Sequence, residues 1–540
     1  MLILATFSGL QDYLFDIRES GGGQARSLRF RSFRIQLNAE CAALRLLDAA
    51  ALPHDRLLFR AAAKVCIDAR DLLPDRLESV IRAGQEIQRL LLRDSHGRLR
   101  FHFVIQRAGD SFCHSFQQAL KRLVQEKAQP FRPPNQPTLR GWLPDDLIVP
   151  EPYDPECEAE RDSEVGRQLV SAQWLSISRS GPPSDRESLS VLGLSIKLTK
   201  HEPVASTNLL SCSNLQHPEQ PPRTAAVYFH PRRLARHIPR DQNHRPLEFL
   251  ELARRRRRGA AMLGVLKADV DSLGTVINDT LATRDDPRAL RGLSQSLDCF
   301  FAQSLEEEKA RPDSRWADLY TIFSGGDDLL AVGPWDLLLD FAAAMRELFE
   351  QKFGKSASNR PSLQPLTLSA GLAIIKPRYP VHLAAKQADE LLDRAKSETA
   401  PRAVSPKDQC ASLGQVWKWQ DHRSIVQSGS QLADWVDAGI VERGWLHTLL
   451  ELVLLRRGEA LARHSSFVPE LATSRLVYHV SRNWPKPDDP NPKAAAARRW
   501  MDQLCGEFDR FESTTHIDTL YLPAILRYAL LATRSDSLED

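Results

Sequence analysis

The chain has 540 residues, 42% of them hydrophobic and 26% charged, and its 72 basic and 69 acidic residues leave a formal net charge of +3. The length predicts two to four domains, each able to bury its own interior, while the near-neutral balance by itself points to no partner. Cysteines at 41, 66, 113, 157, 212, 299, 410 and 505 form no CxxC pair, which argues against a disulfide framework or a cysteine-rich zinc site and fits a reducing cytoplasm. The opening MLILATFSGLQDYLF has no basic n-region or cleavage site, and no run of about eighteen apolar residues marks a membrane span.

The first 130 residues read as mixed α/β. An apolar strand covers residues 2–7 and a helix 31–50; LLFR and KVCI form strands around an alanine turn, and a long helix covers 78–91. Arg26, Arg29, Arg31 and Arg34 crowd one segment, a pattern suited to phosphates. Prolines at 130, 133, 134, 137, 144, 150, 152 and 155 mark a connection. Beyond them QWLSIS, SVLGLSIKL and AAVYF suggest a small β-rich middle domain. The run Arg254 to Arg258 reads either as a phosphate-facing patch or as a solvated helix end capped by Gly259.

From residue 247 the pattern sharpens. GVLKADV is a buried-strand run, and helical sequence follows over 273–309 with a break at 285–287. DLYTIF, SGGDD and LLAVG form a tight hairpin whose Gly325 and Gly326 supply a permissive backbone. A helix over 335–353, the strand LTLSAGLAII and a helix over 382–396 complete the order β-α-β-β-α-β-α, the ferredoxin-like split βαβ arrangement. Beyond about 405 the sequence is helical, interrupted by a proline-rich loop at 484–492. The expected fold class is α+β, with two ferredoxin-like palm domains at 1–130 and 247–404. A proline-rich connection and small α/β domain occupies 131–246, and a helical domain 405–540.

In such a sheet the end of GVLKADV and the tip of SGGDD meet on one edge. Asp269, Asp271, Asp327 and Asp328 then converge, with Asp271 in place only if the strand runs that far. Like charges about 4 Å apart repel by roughly 4 kcal/mol at an effective dielectric near 20, so the cluster calls for cations. Hard oxygen donors suit two Mg²⁺ or Mn²⁺ ions, which activate a 3′-hydroxyl and neutralise a leaving pyrophosphate. Asp269, Asp327 and Asp328 are the expected catalytic and metal-binding residues, with Val270 as a further metal-binding position. Lys396 either reaches nucleotide phosphates or simply closes its helix, and Ser324 either meets an adenine edge or caps the turn. His54-Asp55 is a chance dipeptide, and no HExxH, GxxxxGK[ST] or GxSxG motif occurs.

KADVDSLG, FSGGDDLLAVG and SAGLAIIKPRYPVHLAAKQADELLDRAK resemble the large signature subunit of type III CRISPR effector complexes, the polymerase/cyclase palm subunit. SGLQDYLFDIRESGG and RSFRIQL near the start resemble that family's first palm. The resemblance implies conversion of ATP to cyclic oligoadenylates, with pyrophosphate released, when target RNA pairs with the guide CRISPR RNA. It implies backbone-type and small-subunit-type effector proteins as partners, and ATP-binding positions at Ser8, Gly9, Ser272, Leu273, Gly274, Ser324, Gly325, Gly326 and Lys396. FRAAAKVCI at 59–67 stands where the second half has FSGGDDLLAV, so the first palm is expected to be silent and to share a composite pocket. The family's His-Asp nuclease domain is not seen ahead of the first palm, so DNA cleavage is not expected. Only Cys157 stands where family members carry zinc cysteines, so zinc is not expected, and Ser272 replaces a common asparagine. Two other functions are compatible with the pattern: a GTP-using diguanylate-cyclase-like enzyme and a catalytically silent scaffold.

Overall fold

The computed structural model describes residues 1–15, 24–61, 63–107, 109, 111–128, 155–179, 188–204, 206–217, 220–222, 228–229, 237–311, 313–354, 365–458, 471–508 and 514–535. The expected connection at 130–154, Ala62 of the alanine turn and most of AAVYF lie outside them.

The first half builds on β1 (Leu2–Ser8), β2 (Leu57–Ala61), β3 (Lys64–Asp68) and β4 (Arg100–Gln106), in the antiparallel order β2-β3-β1-β4. Its helices are α1 (Leu10–Phe15), α2 (Gln24–Ala50), α3 (Leu77–Asp94) and α4 (Phe112–Ala128). Successive strand residues face opposite sides, and both sides of β1 are covered. Ile3, Ala5 and Phe7 join the core that contains α2 and α3, while Leu2 and Leu4 pack with Phe116 and Leu123 of α4. That explains the unbroken apolar run at the start. Neither β4 nor α4 was expected from the sequence.

The middle region holds α5 (Pro155–Ser171), β5 (Trp174–Arg179), β6 (Ser188–Val191), β7 (Leu194–Thr199), β8 (Leu209–Asn214) and β9 (Tyr228–Phe229), in sheet order β6-β7-β5-β8-β9. SVLGLSIKL is not one strand. Leu192 and Gly193, at φ 49° and 75°, turn it into the β6–β7 hairpin, as a two-residue turn of primed type requires.

The second half opens with α6 (Phe249–Ala253) and β10 (Leu263–Val270). It continues through α7 (Leu273–Arg284), α8 (Pro287–Cys299), a π-helical turn at Phe300–Ser304 and α9 (Leu305–Ala310). Next come β11 (Tyr320–Gly325), β12 (Asp328–Pro334), α10 (Trp335–Phe353), β13 (Leu368–Ile375) and α11 (Val381–Ser397). Its sheet runs β11-β12-β10-β13, the first sheet's order repeated, and is extended by β14 (Gln409–Ser412) and β15 (Gln415–Lys418). Residues 409–418, expected to begin the helical region, therefore belong to this sheet. Helices α12 (Trp419–Asp437), α13 (Arg443–Arg456), α14 (Leu471–Asn483), α15 (Pro492–Glu507), α16 (Ile517–Leu520) and α17 (Leu522–Ala532) follow. Among the described residues no helix is long and apolar enough to cross a membrane.

Helix α11 lies directly on β13 at Gly371, where a Cβ would stand 2.3 Å from the Ala388 carbonyl oxygen and 2.3 Å from the Leu392 nitrogen. Both obstacles are backbone and cannot rotate away. Gly371→Ala is expected to cost about 1 to 3 kcal/mol or more through overpacking, read as a lowered midpoint in thermal or urea unfolding.

The arginines near the start face protein rather than phosphate. Arg29 donates to the Gly166 carbonyl and lies over the Tyr320 ring, Arg31 pairs with buried Asp162, and Arg34 donates to the Asp94 carbonyl. Charge density along the chain did not reveal these partners because they are remote in sequence. In the five-arginine run, Arg257 pairs with Asp340 at 2.5 Å, and Arg258 pairs with Asp434 at 2.8 Å and Asp437 at 2.7 Å. These two arginines fasten the start of β10 to α10 and α12. Gly259, at φ 72°, approaches α17 so closely that a Cβ would stand 2.2 Å from the Leu531 carbonyl oxygen.

Candidate active site

The SGGDD hairpin closes in two residues. Gly325 and Asp328 pair across it, Gly326 at φ 68° and Asp327 form the tip, and the Val270 N–H donates to the Asp327 carbonyl at 3.0 Å. Asp328 stands directly opposite Asp269 on neighbouring strands, a spacing that brings Cβ atoms to about 5 Å. The first half grips the turn from outside: Gln36 of α2 donates to the Ser324 carbonyl at 3.2 Å. The Ser324 hydroxyl is buried and has no hydrogen-bond partner among the described residues.

Burial, reinforced by the adjacent Asp327 charge, pushes the Asp328 carboxyl up to about 7, against the opposing pull of Lys267 and Lys64. Its Oδ1 is buried without a partner. Alternation along β10 places Lys267 and Asp269 on the α11 side, where Lys267 contacts Asp389 and Lys396 contacts Asp269. Burial lowers the Lys396 ammonium to about 8, and nearby Lys407 and Lys267 add to the effect. Asp271 does not join the cluster. Its buried carboxylate accepts from Thr367 Oγ1 at 2.9 Å, Ser369 Oγ at 2.7 Å and the Asp408 N–H at 2.9 Å, tying β13 to the approach to β14.

A cavity of about 300 Å³ lies between the two halves, bounded by α4 and β1 on one side and by α7, α8 and the hairpin tip on the other. Leu273, Gly274, Gly326 and Asp327 line it, with Thr6, Lys64 and Lys127 from the first half. Ser8 and Gly9 are not among its lining. The Ser8 hydroxyl hydrogen-bonds His102 Nε2 at 2.8 Å, and Gly9, at φ 80°, has the Arg98 carbonyl oxygen 1.9 Å from where a Cβ would stand. Ser272, at φ 53°, accepts from Lys407 at 2.7 Å. Gly325 is buried, and a Cβ there would stand in ordinary contact with Gln36 Nε2, 3.6 Å away.

The donors fit a hard divalent cation in kind, and the orphaned Asp328 Oδ1 with its raised carboxyl is a group that a bound cation would satisfy. Among the described residues no three His, Cys, Asp or Glu side chains are gathered around one point, and a lysine stands against Asp269 instead. Lys267, Lys407 and Gln36 were missed by the sequence reading. Only Lys267 gave a signal, as a charge inside an apolar strand.

Two family models match the chain: Cas10/Cmr2, second palm domain, over residues 262–404, and Csm1 subunit domain B over residues 1–140. Both describe parts of one kind of subunit, and they fall on the two halves whose sheets share an order. The chain belongs to the Cas10/Csm1 family of type III CRISPR large subunits. It is 24% identical over 485 residues to the single-strand-specific deoxyribonuclease Cas10/Csm1 of subtype III-A from Thermococcus onnurineus, covering 80% of this chain and 59% of that one. The Mycobacterium tuberculosis Cas10/Csm1 is 29% identical over 245 residues, covering 42% of this chain and 27% of the relative. The chain thus spans little more than half of one relative and about a quarter of the other. Solved Csm1–Csm4 cassettes share the Cas10/Csm1 fold seen here: one in complex with cA3 has a TM-score of 0.70 at 19% identity, covering 99% of this chain and 69% of that one. One in complex with one ATP has a TM-score of 0.69 at 20% identity, covering 99% and 70%.

Proposed function

We propose that this chain is the large subunit of an RNA-guided type III effector complex and joins ATP molecules into cyclic oligoadenylates, releasing pyrophosphate, when target RNA pairs with the guide. The observation that carries this reading is Asp328 opposite Asp269 at the end of β10, beside a glycine turn that opens onto a cavity between the halves. Relatives solved with ATP and with cA3 support the substrate and product classes, and their pairing with Csm4 supports a partner of that kind.

Asp269, Asp327 and Asp328, with the Val270 carbonyl, would hold Mg²⁺ or Mn²⁺. When bound, the ions supply activation of a 3′-hydroxyl and neutralisation of pyrophosphate. Gly325 and Gly326 leave room for phosphates at the turn. Lys396 contacts Asp269 and would be available to a phosphate once that carboxylate is engaged by an ion. Reconstitution with guide RNA, target RNA, ATP and Mg²⁺, followed by mass analysis, is expected to give cyclic oligoadenylate. No product, or a cyclic dinucleotide from GTP alone, overturns the reading.

The raised Asp328 carboxyl gives metal binding a pH dependence. Below about 7 a proton occupies the carboxyl and competes with the ion; above 7 the competition ends. Mn²⁺ affinity, followed by electron paramagnetic resonance, is expected to rise about tenfold per pH unit on approaching 7 and then level off. A flat profile through 7 removes Asp328 from the ligand set.

A further inference from the structure

A second cavity, of about 620 Å³, lies where α11 and β13 meet α13 and α17. Four arginines line it, Arg394, Arg443, Arg527 and Arg534, against one acid, Glu390. Arg443 donates Nη2 to the Leu530 carbonyl at 3.1 Å and Arg527 donates Nη1 to the Leu413 carbonyl at 2.7 Å, both neutral acceptors. Among the described residues neither Arg443 nor Arg534 pairs with a carboxylate, and Arg443 Nε is buried without a hydrogen-bond partner. The lining has an apolar floor that includes Leu372 and Ile374, and no Phe, Tyr or Trp side chain.

We infer that this cleft is a phosphate-binding site separate from the paired aspartates. Guanidinium groups match phosphate oxygens in two-pronged contacts, and an orphaned guanidinium N–H on an apolar floor is a donor waiting for an acceptor. With no Phe, Tyr or Trp ring and only the exposed His447 imidazole to meet a base, recognition falls mainly on phosphates rather than on sequence. The volume, about 620 Å³, falls in the range of small-molecule sites, so a nucleotide or a short stretch of nucleic-acid backbone fits.

The cleft touches β13 at Ile374, which pairs with Gly264 at the start of β10, five residues before Asp269, or roughly 16 Å along the strand. Helix α11 spans the distance. Its Arg394 lines the cleft, bonded to Glu398 at 2.7 and 3.0 Å, and its Lys396 contacts Asp269. A phosphate in the cleft competes with Glu398 for Arg394 two residues from the lysine at the catalytic end.

Hydrogen exchange on the full chain tests this locally. Inorganic tripolyphosphate and a short single-stranded RNA are each added to wild type, Arg443→Gln and Arg534→Glu, and protection is followed over residues 387–394 and 527–534. Both ligands are expected to protect the wild type, and Arg534→Glu, at the exposed end beyond α17, is expected to weaken binding roughly tenfold, one charge-assisted contact. Protection by RNA alone identifies a backbone phosphodiester as the ligand, and by tripolyphosphate alone a nucleotide. No protection by either, equal protection in both variants, or protection by a polyglutamate peptide but not by phosphates overturns the proposal. None of these outcomes depends on whether the chain makes oligoadenylate.

Discussion

Asp328→Asn is expected to lose product formation while making the metal-free protein more stable. The side chain lies opposite Asp269 and beside Asp327 with its Oδ1 buried, and its carboxyl is held at about 7 instead of 3.8, so the fold resists its charge. Even outer partners of metal ligands are worth about 10- to 100-fold in activity, so removing a ligand oxygen charge is expected to cost at least about 100-fold. The rise from 3.8 to about 7 corresponds to a destabilisation on the order of 4 kcal/mol that the amide does not carry. A raised carboxyl costs nothing when it is protonated in both folded and unfolded states; the cost grows as pH climbs from the ordinary carboxylate range to about 7 and is complete above it. Unfolding of both proteins in metal-free buffer is therefore expected to diverge at neutral pH and converge in acid. Identical midpoints above pH 7 would show that the carboxylate is solvated.

Asp162→Ala is expected to cost about 3 to 5 kcal/mol, the loss typical of stranding one partner of a buried ion pair. Asp162 is fully buried, Arg31 is 3% exposed, and Arg31 Nε meets Asp162 Oδ2 at 2.8 Å. Arg31 also donates to the Tyr13 carbonyl and lies over the Tyr13 ring, so it cannot swing out to water without breaking other contacts. Replacing both residues with leucine is expected to recover part of the loss, because the desolvated charge then disappears altogether. Urea unfolding checks both steps. A loss under about 1 kcal/mol for the single variant would place the pair among solvent-screened bridges.

Much of the second half was legible because each acidic pair abuts an apolar strand and two glycines mark the turn between β11 and β12. Local pattern carries that information. The arginines of α2 were misread because their partners are set by folding; Asp162 lies 131 residues from Arg31. Short strands escaped for a related reason. β14 and β15 have four residues each, and β6–β7 reads as one apolar stretch unless Gly193 is taken as a turn. The Lys396–Asp269 contact joins the end of α11 to the end of β10, and only the stacking of helix on sheet at Gly371 places it there.

The alanine turn of the first half has a consequence for symmetry. Thr6 stands opposite Lys64 in the first sheet in the register that sets Asp269 opposite Asp328 in the second. Lys64 borders the same cavity as Asp327 and draws on the Asp328 charge. Two equal halves would have turned acid toward acid across that cavity, each repelling the other. With a cation in one copy, the duplicated folds attract instead, and Lys64 becomes part of what lets the two sides close on a shared space.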